Sequence, residues 1–281
     1  MPLDIRGSFK GNDVITSTAN ESIKLIRKLR DRKYREQTSS YFIEGIRIVY
    51  DALKTGQIFE KLIYAPELIR NETGRLLVEE ACQKGVSCME VSKEVYLSLS
   101  QKEGSQGVGA VLAQKWTKLE DLLFPLSGVW IGLHEVADPG NLGTIMRTAD
   151  AVGAAGILLV GNCTDPYDPT ALRASMGGIY SLQLVKINKD DFVRHFSKKE
   201  TIIVGTSDSA DLDYREEKYP TDMILLMGSE REGLGVELSK VCSQKVKIPM
   251  RGRCDSLNLS VATGIVLYEI LYQNQQRINK G

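Results

Sequence analysis

The chain has 281 residues, 42% of them apolar and 26% charged, and its 36 acidic and 36 basic residues cancel to zero net charge. That is the composition of a soluble globular protein with room for one large domain or two ordinary ones, and it excludes a disordered chain. It also excludes nucleic-acid binding by bulk charge, so any such contact must come from a local patch.

Five cysteines (Cys82, Cys88, Cys163, Cys242, Cys254) form no CxxC pair and no even framework, and there are two histidines in all. A Cys/His metal site is poorly supplied, no metal is expected, and the cysteines read as reduced, mostly buried thiols of a cytoplasmic protein. The opening MPLDIRGSFKGND has no apolar signal region and carries acids, which argues against a secretory or transit segment. The most apolar stretch, Leu257 to Tyr272, includes Asn258, Ser260, Thr263 and Glu269, falls short of a membrane span and reads as a buried helix.

In chain order, residues 20–36 carry Ile23, Ile26 and Leu29 at spacing three with Arg and Lys on the other faces, a helical pattern. A strand YFIEG follows, then a helix from Ile46 to about Thr55 that ends at Gly56. The strand EKLIYAP, a helix over about 72–84, a strand around SCMEVS and a helix KEVYLSLS come next. The strand GVGAVLA (107–113) closes this half. Such alternation predicts a small α/β domain over 1–115.

Residues 116–127 break the alternation and read as a linker, before a second α/β run over 128–281. Its strands GVWIGLHEV, GILLVG, SLQLVKI, TIIVGTS, MILLMGSE and KVKIPM are continuously apolar in the main, the pattern of a parallel sheet covered on both faces. The acidic segment 208–220 reads as a solvated loop.

Chemistry in such a sheet belongs where strands end and helices begin, and three junctions stand out. In DPGNLGTIMRTADAVGA (138–154), Asn141 reads as the N-cap of a helix, and Arg147 lies beside the core stripe of Leu142, Ile145, Met146, Ala149 and Val152. MGSEREGLG (227–235) follows an apolar strand and sets Glu230 between Gly228 and Gly233. In IPMRGRCDSLNLSVATG (248–264), Arg251 and Arg253 precede a helix that Asp255 or Ser256 can cap, a ready anion site. Each has an ordinary reading alone: an Arg147–Asp150 pair, a strand-to-helix turn, a capped surface loop.

Together, in this order, the junctions resemble the three signature motifs of the SpoU (TrmH-like) RNA 2′-O-ribose methyltransferases of the SPOUT superfamily. Asn141 and Arg147 match the first motif, Gly228, Glu230 and Gly233 the second. Ile248, Pro249, Met250, Ser256, Leu257 and Asn258 match the third, and Arg173 and Ser175 match a segment between motifs. The resemblance implies a C-terminal SPOUT-type parallel sheet tied in a deep trefoil knot, preceded by a small α/β substrate-binding domain. It also implies a homodimer and S-adenosyl-L-methionine as cofactor.

By the same resemblance Arg147, Asn141, Glu230 and Asn258 form the catalytic group, and Thr206, Gly228, Ile248 and Leu257 hold the cofactor, largely through backbone groups. Glycine at 228 is expected to let the cofactor approach the main chain. Ser256 and Arg173 are candidates for RNA contact, as are Arg27 and Arg30 in the basic run KLIRKLRDRKYR (24–35). Arg147 is the position usually assigned to activating the ribose hydroxyl. Holding a guanidinium neutral at pH 7 would cost about 8 kcal/mol, so a fixed positive charge stabilising an alkoxide is the better role. His134 reads as structural.

The substrate expected is RNA, with ribosomal RNA preferred over transfer RNA because of the first domain. A transfer-RNA methyltransferase and a non-catalytic RNA-binding protein of the same fold are the alternatives. A Rossmann oxidoreductase would need a G-x-G-x-x-G after an early strand, and there is none.

Overall fold

A computed structural model describes residues 14–101, 104–124, 126–198 and 201–279. The opening segment MPLDIRGSFKGND, read above as no leader, lies outside the described residues. The described chain falls into two compact units. One runs up to Gln114 and includes Tyr167–Leu172; the other comprises Lys115–Pro166 and the chain from Arg173 onward.

The first unit contains α1 (Glu21–Lys28), α2 (Arg32–Thr38), β1 (Ser40–Glu44), α3 (Ile46–Lys54), β2 (Phe59–Tyr64), α4 (Glu72–Gln83), β3 (Cys88–Glu90), α5 (Lys93–Leu99) and β4 (Val108–Ala113). Its sheet runs β1-β4-β2-β3, with β4 antiparallel to both neighbours and β3 parallel to β2. Ile23, Ile26 and Leu29 pack with Ile63, Met89, Tyr96 and Val111 in its core. The single helix expected over 20–36 is two, because Asp31 caps a new helix through Lys33 N–H at 2.9 Å.

Within that basic run one arginine turns inward. Arg35 is 1% exposed, donates from Nη1 to the carbonyls of Leu29 and Arg30, and pairs with Asp168 at 3.6 Å. It closes the end of α1 and is not a phosphate ligand.

A second departure concerns the thiols. Cys82, exposed at the end of α4, forms a disulfide with Cys88 on β3, and Cys254 is exposed as well. The expectation of five reduced, mostly buried thiols therefore holds only for Cys163 and Cys242. The cause is local: the α4–β3 turn brings the two Cα atoms to 6.1 Å, within bridging range.

The second unit is built on β5 (Val129–His134), α6 (Pro139–Ala151), β6 (Gly156–Val160), α7 (Pro169–Ser175), β7 (Gln183–Ile187) and α8 (Lys189–Phe196). It continues with β8 (Ile203–Thr206), β9 (Leu212–Asp213), β10 (Met223–Met227), α9 (Gly235–Val241), β11 (Gln244–Lys247) and α10 (Leu259–Ile278). The first residues of α7 belong with the other unit. All seven strands are parallel, in the order β7-β6-β5-β10-β8-β11-β9.

β6 and β10 are buried at every residue, which is why they read as continuous apolar runs. Trp130, Leu158, Ile224 and Leu226 point into a layer completed by Phe192 and Phe196 of α8 and Leu238 of α9. By strand alternation Ile131, Leu133, Ile157 and Leu159 face the other way, toward α6 and α10, which pack on each other. Full burial of each large apolar side chain contributes about 1.5–3 kcal/mol.

The acidic stretch 208–220 is not wholly a loop. Leu212 and Asp213 add an edge strand to β11, and Tyr219 is buried, its hydroxyl donating to Tyr214 O at 2.6 Å. Period reading misses it because two residues are too few to show alternation.

Candidate active site

The chain builds β5, β6 and β7 outward in one direction and then crosses to build β8 on the other side of β5. The loops after β5 and β10 thus leave neighbouring strand ends for different faces, β5 into α6 and β10 into α9. A crevice at such a switch point is where an open parallel sheet binds ligands.

Across this crevice the three glycine-containing junctions meet. Asn258 donates from Nδ2 to Asn141 Oδ1 at 2.9 Å, and Asn141 donates from its own Nδ2 to Glu230 Oε1. One residue of each junction is thereby joined to the next.

Local structure explains how. The cap of α6 is Asp138, whose carboxylate accepts from Asn141 N–H at 2.7 Å, with Pro139 at the first helical position. Asn141, expected to be the cap, lies inside the first turn, and its amide is therefore spare for Glu230 and Asn258. At the third junction the cap of α10 is Asn258 itself, not Asp255 or Ser256. Its Oδ1 accepts from Ser260 N–H at 2.9 Å and Ser260 Oγ at 2.6 Å.

The turn 228–234 folds back tightly, Ser229 and Gly233 exchanging backbone hydrogen bonds at 2.9 and 3.0 Å. A Cβ on Gly228 would lie 2.2 Å from the carbonyl carbon of Gly233 and 2.5 Å from Leu234 N. Glycine is thus required here by the chain's approach to itself, a different reason from the cofactor approach expected. His134, buried at the end of β5, sets Nδ1 3.5 Å from Gly233 O and so faces the base of the same turn.

Arg147 is exposed on α6 and makes no ion pair among the described residues. The alternative Arg147–Asp150 pair does not form, because Asp150 instead accepts a hydrogen bond from Ser181 Oγ. Gly178 packs so closely on α6 that a Cβ there would come within 3.1 Å of Arg147 Cα. The segment after Arg173 is thereby laid beside the guanidinium's helix. Arg173 itself is exposed at the end of α7.

The residues assigned to the cofactor share one rim. Thr206 ends β8 level with Val246 of β11, Gly228 follows β10 and Ile248 follows β11. Thr206 and Ile248 are half-buried, and Thr206 Oγ1 lies 3.5 Å from Met227 Sδ. Residues 249–258 are exposed throughout, and Leu257, at 36% exposure, and Met250 present apolar surface there. An adenosyl sulfonium needs apolar walls for its base, backbone groups for its polar edge and a negative group near its charge. Leu257, Met250, the two turns and Glu230 fit those needs.

Ser256 is exposed two residues before the cap of α10, in the loop with Arg251 and Arg253. Arg27 and Arg30 belong to the other unit and are engaged within it. Arg27 donates to Ser98 Oγ at 3.0 Å; Arg30 donates to Leu99 O at 2.8 Å and Ser98 O at 3.0 Å, closing the end of α5. Sequence reading missed Asp138 and Ser260. The signal for Asp138 was a good cap immediately before Pro139, and for Ser260 its place two residues after an Asn at a helix start.

The chain matches the model of the SpoU rRNA methylase family over residues 128–268, and that of an MRM3-like substrate binding domain over residues 20–110. It is similar to the AdoMet-bound rRNA methyltransferase structure from Sinorhizobium meliloti, with 36% identity, 92% of this chain and 97% of that one covered, and a TM-score of 0.83. It is 30% identical to the 23S rRNA (guanosine-2′-O-)-methyltransferase RlmB of Vibrio vulnificus, over 84% of this chain and 98% of that protein. The 23S rRNA (guanosine(2553)-2′-O)-methyltransferase RlmP of Bacillus subtilis is 27% identical over 91% of this chain and 98% of its own.

Proposed function

The chain belongs to the SpoU rRNA methylase family, and from that premise we propose how its own residues methylate a ribose 2′-hydroxyl of ribosomal RNA. As a member it is an S-adenosylmethionine-dependent RNA 2′-O-ribose methyltransferase. The observation that carries the site assignment is the Asn258–Asn141–Glu230 chain of hydrogen bonds, which draws all three turns to one crevice.

Bound S-adenosylmethionine supplies the methyl group as an electrophile. Thr206, Gly228, Ile248 and Leu257 hold it at the rim, chiefly through backbone groups, with Leu257 and Met250 as apolar walls. Asn141 and Asn258 fix Glu230, and Glu230 orients the ribose. Arg147, exposed and without an ion pair among the described residues, places a permanent positive charge where the 2′-oxygen becomes negative. The hydroxyl proton leaves for an RNA phosphate or water. Ser256, with Arg251 and Arg253, holds a phosphate, and Arg173 contributes a second contact. In the first domain the exposed Lys28 and Lys33 of the basic run, with the outer face of Arg30 and the half-buried Arg27, supply sequence-independent attraction to RNA.

The same reading includes a homodimer. Val261, Tyr268 and Tyr272 of α10 are 50%, 54% and 57% exposed, a row of large side chains on a helix that buries Leu259, Thr263, Val266, Leu267 and Ile270 on another side. A second copy covering that row, and a C-terminus threaded through the fold as the resemblance implies, are consistent with the return of the chain from β11 to α6. No described helix is long and apolar enough to cross a membrane, and the reading places the protein in the cytoplasm with its RNA.

Calorimetry with S-adenosylmethionine, followed by mapping of ribose methylation in ribosomal RNA with and without the gene, tests the proposal. Saturable binding and one lost 2′-O-methyl site are expected. No binding, or an unchanged ribosomal RNA with a lost transfer-RNA methyl group, would overturn it.

A further inference from the structure

An amide side chain has one accepting and one donating end, and its orientation is decided by the network around it. Asn258 Oδ1 faces three donors of α10: Ser260 N–H at 2.9 Å, Ser260 Oγ at 2.6 Å and Val261 N–H at 3.4 Å. No other end of Asn258 can occupy that place. Its Nδ2 must therefore point outward, where it meets Asn141 Oδ1, and Asn141 in turn must present Nδ2 to Glu230.

We infer that the start of α10, with Ser260 as a further positioning residue, sets the direction of the whole hydrogen-bond chain, so that Glu230 is always met by a donor. The inference rests on the site reading proposed above and deepens it. The chain runs from free helix N–H groups to a carboxylate, donor to acceptor at every step. Reversing one amide would set oxygen against oxygen at Glu230.

Asn258→Asp isolates this property. Aspartate caps a helix as well as asparagine, so α10 keeps its start, but its second oxygen now faces Asn141 Oδ1. Asn141 turns over and brings its own oxygen to Glu230. Adding Glu230→Gln supplies a donor there and restores a continuous chain running the other way.

The side-chain amide protons of Asn141, assigned in nitrogen-15-labelled full-length protein by comparison with Asn141→Ser, report the orientation without any ligand. These protons stay hydrogen-bonded in every variant but change partner: their nuclear Overhauser contacts are expected to fall on the Glu230 side chain in the parent, and on residue 258 in Asn258→Asp and in the double variant, at an almost unchanged melting temperature. S-adenosylmethionine affinity, by calorimetry, is expected to fall about tenfold in Asn258→Asp and to recover in part in the double variant. Ser260→Ala is expected to weaken binding about fivefold, with Ser260→Thr restoring it. Contacts to residue 230 that persist in Asn258→Asp, or a double variant whose S-adenosylmethionine affinity is no better than that of the single, would overturn the inference. Absence of S-adenosylmethionine binding in the parent would instead sink the functional reading, while the contacts of the Asn141 amide protons still decide the direction of the chain.

Discussion

Asn258 and Asn141, 117 residues apart, share a hydrogen bond of 2.9 Å from Nδ2 to Oδ1. Each is held by its own helix start, Asn258 as the cap of α10 and Asn141 through the Asp138 cap of α6. The site is thus built between two helix N-termini, where backbone N–H groups already favour negative charge.

Replacing Arg147 by Ala should cripple transfer while leaving the fold intact, since the side chain is exposed and makes no ion pair among the described residues. A fall of about 10²–10³ in single-turnover rate is expected, the magnitude of losing one preorganised charge, with S-adenosylmethionine affinity little changed. Arg147→Lys separates the roles. Substantial activity that rises with pH would argue against a guanidinium acting only as fixed charge.

Gly228→Ala should fail for a backbone reason. The added carbon meets main-chain atoms at 2.2 and 2.5 Å, and these have no rotamer by which to move away. Loss of S-adenosylmethionine binding with a stability cost of about 1–3 kcal/mol is expected, read by calorimetry and urea unfolding.

Among the basic residues of α1 and α2, position should predict the phenotype. Arg35→Leu removes two carbonyl contacts and an ion pair from a buried site, and should destabilise the protein by about 2–4 kcal/mol. Lys33→Ala should leave unfolding unchanged and lower RNA affinity, reducing the slope of log affinity against log salt by about 1.

Acid sensitivity should include the β9 edge. Hydrogen bonds from the Arg215 guanidinium and backbone N–H hold the Asp213 carboxyl down to about 2. A carboxyl lowered by folding stabilises the folded state above its unfolded pKa, and that contribution disappears as pH falls through the folded value. Melting temperature should therefore drop between pH 4 and pH 2 in the parent, and Asp213→Asn should flatten that part of the curve. Because Arg215 is solvent-exposed and Asp213 only half-buried, the effect should be small and weaken with salt.

If α10 pairs with a second copy, Tyr268→Glu should shift sedimentation toward a monomer without unfolding the chain. A parent that is monomeric at all concentrations would end that part of the proposal.

Much of this was legible in advance because the decisive signals are local. Runs such as Met223–Met227 and Gly156–Val160 announced strands covered on both faces, and the three junctions identified their own order. What failed to show were choices between neighbouring residues. Asp138 and Asn141 are both good caps, and only Pro139 at the first helical position decides for Asp138. The basic run at 24–35 has the composition of a phosphate-binding face, yet Arg35 is buried, because backbone carbonyls at the end of α1 compete for its donors. At Gly228 the structure adds a reason that the sequence could not show, since self-contact of a turn leaves no mark in composition.

The placement of β5 and β10 in the middle of a seven-stranded sheet has a further consequence. Strands β7 and β9 form its rims, so loosening or lengthening of the chain there is separated from the centre by at least one intact strand on either side. Such a protein can acquire new outlying loops while the junction of Asn141, Glu230 and Asn258 beside β5 and β10 stays as it was.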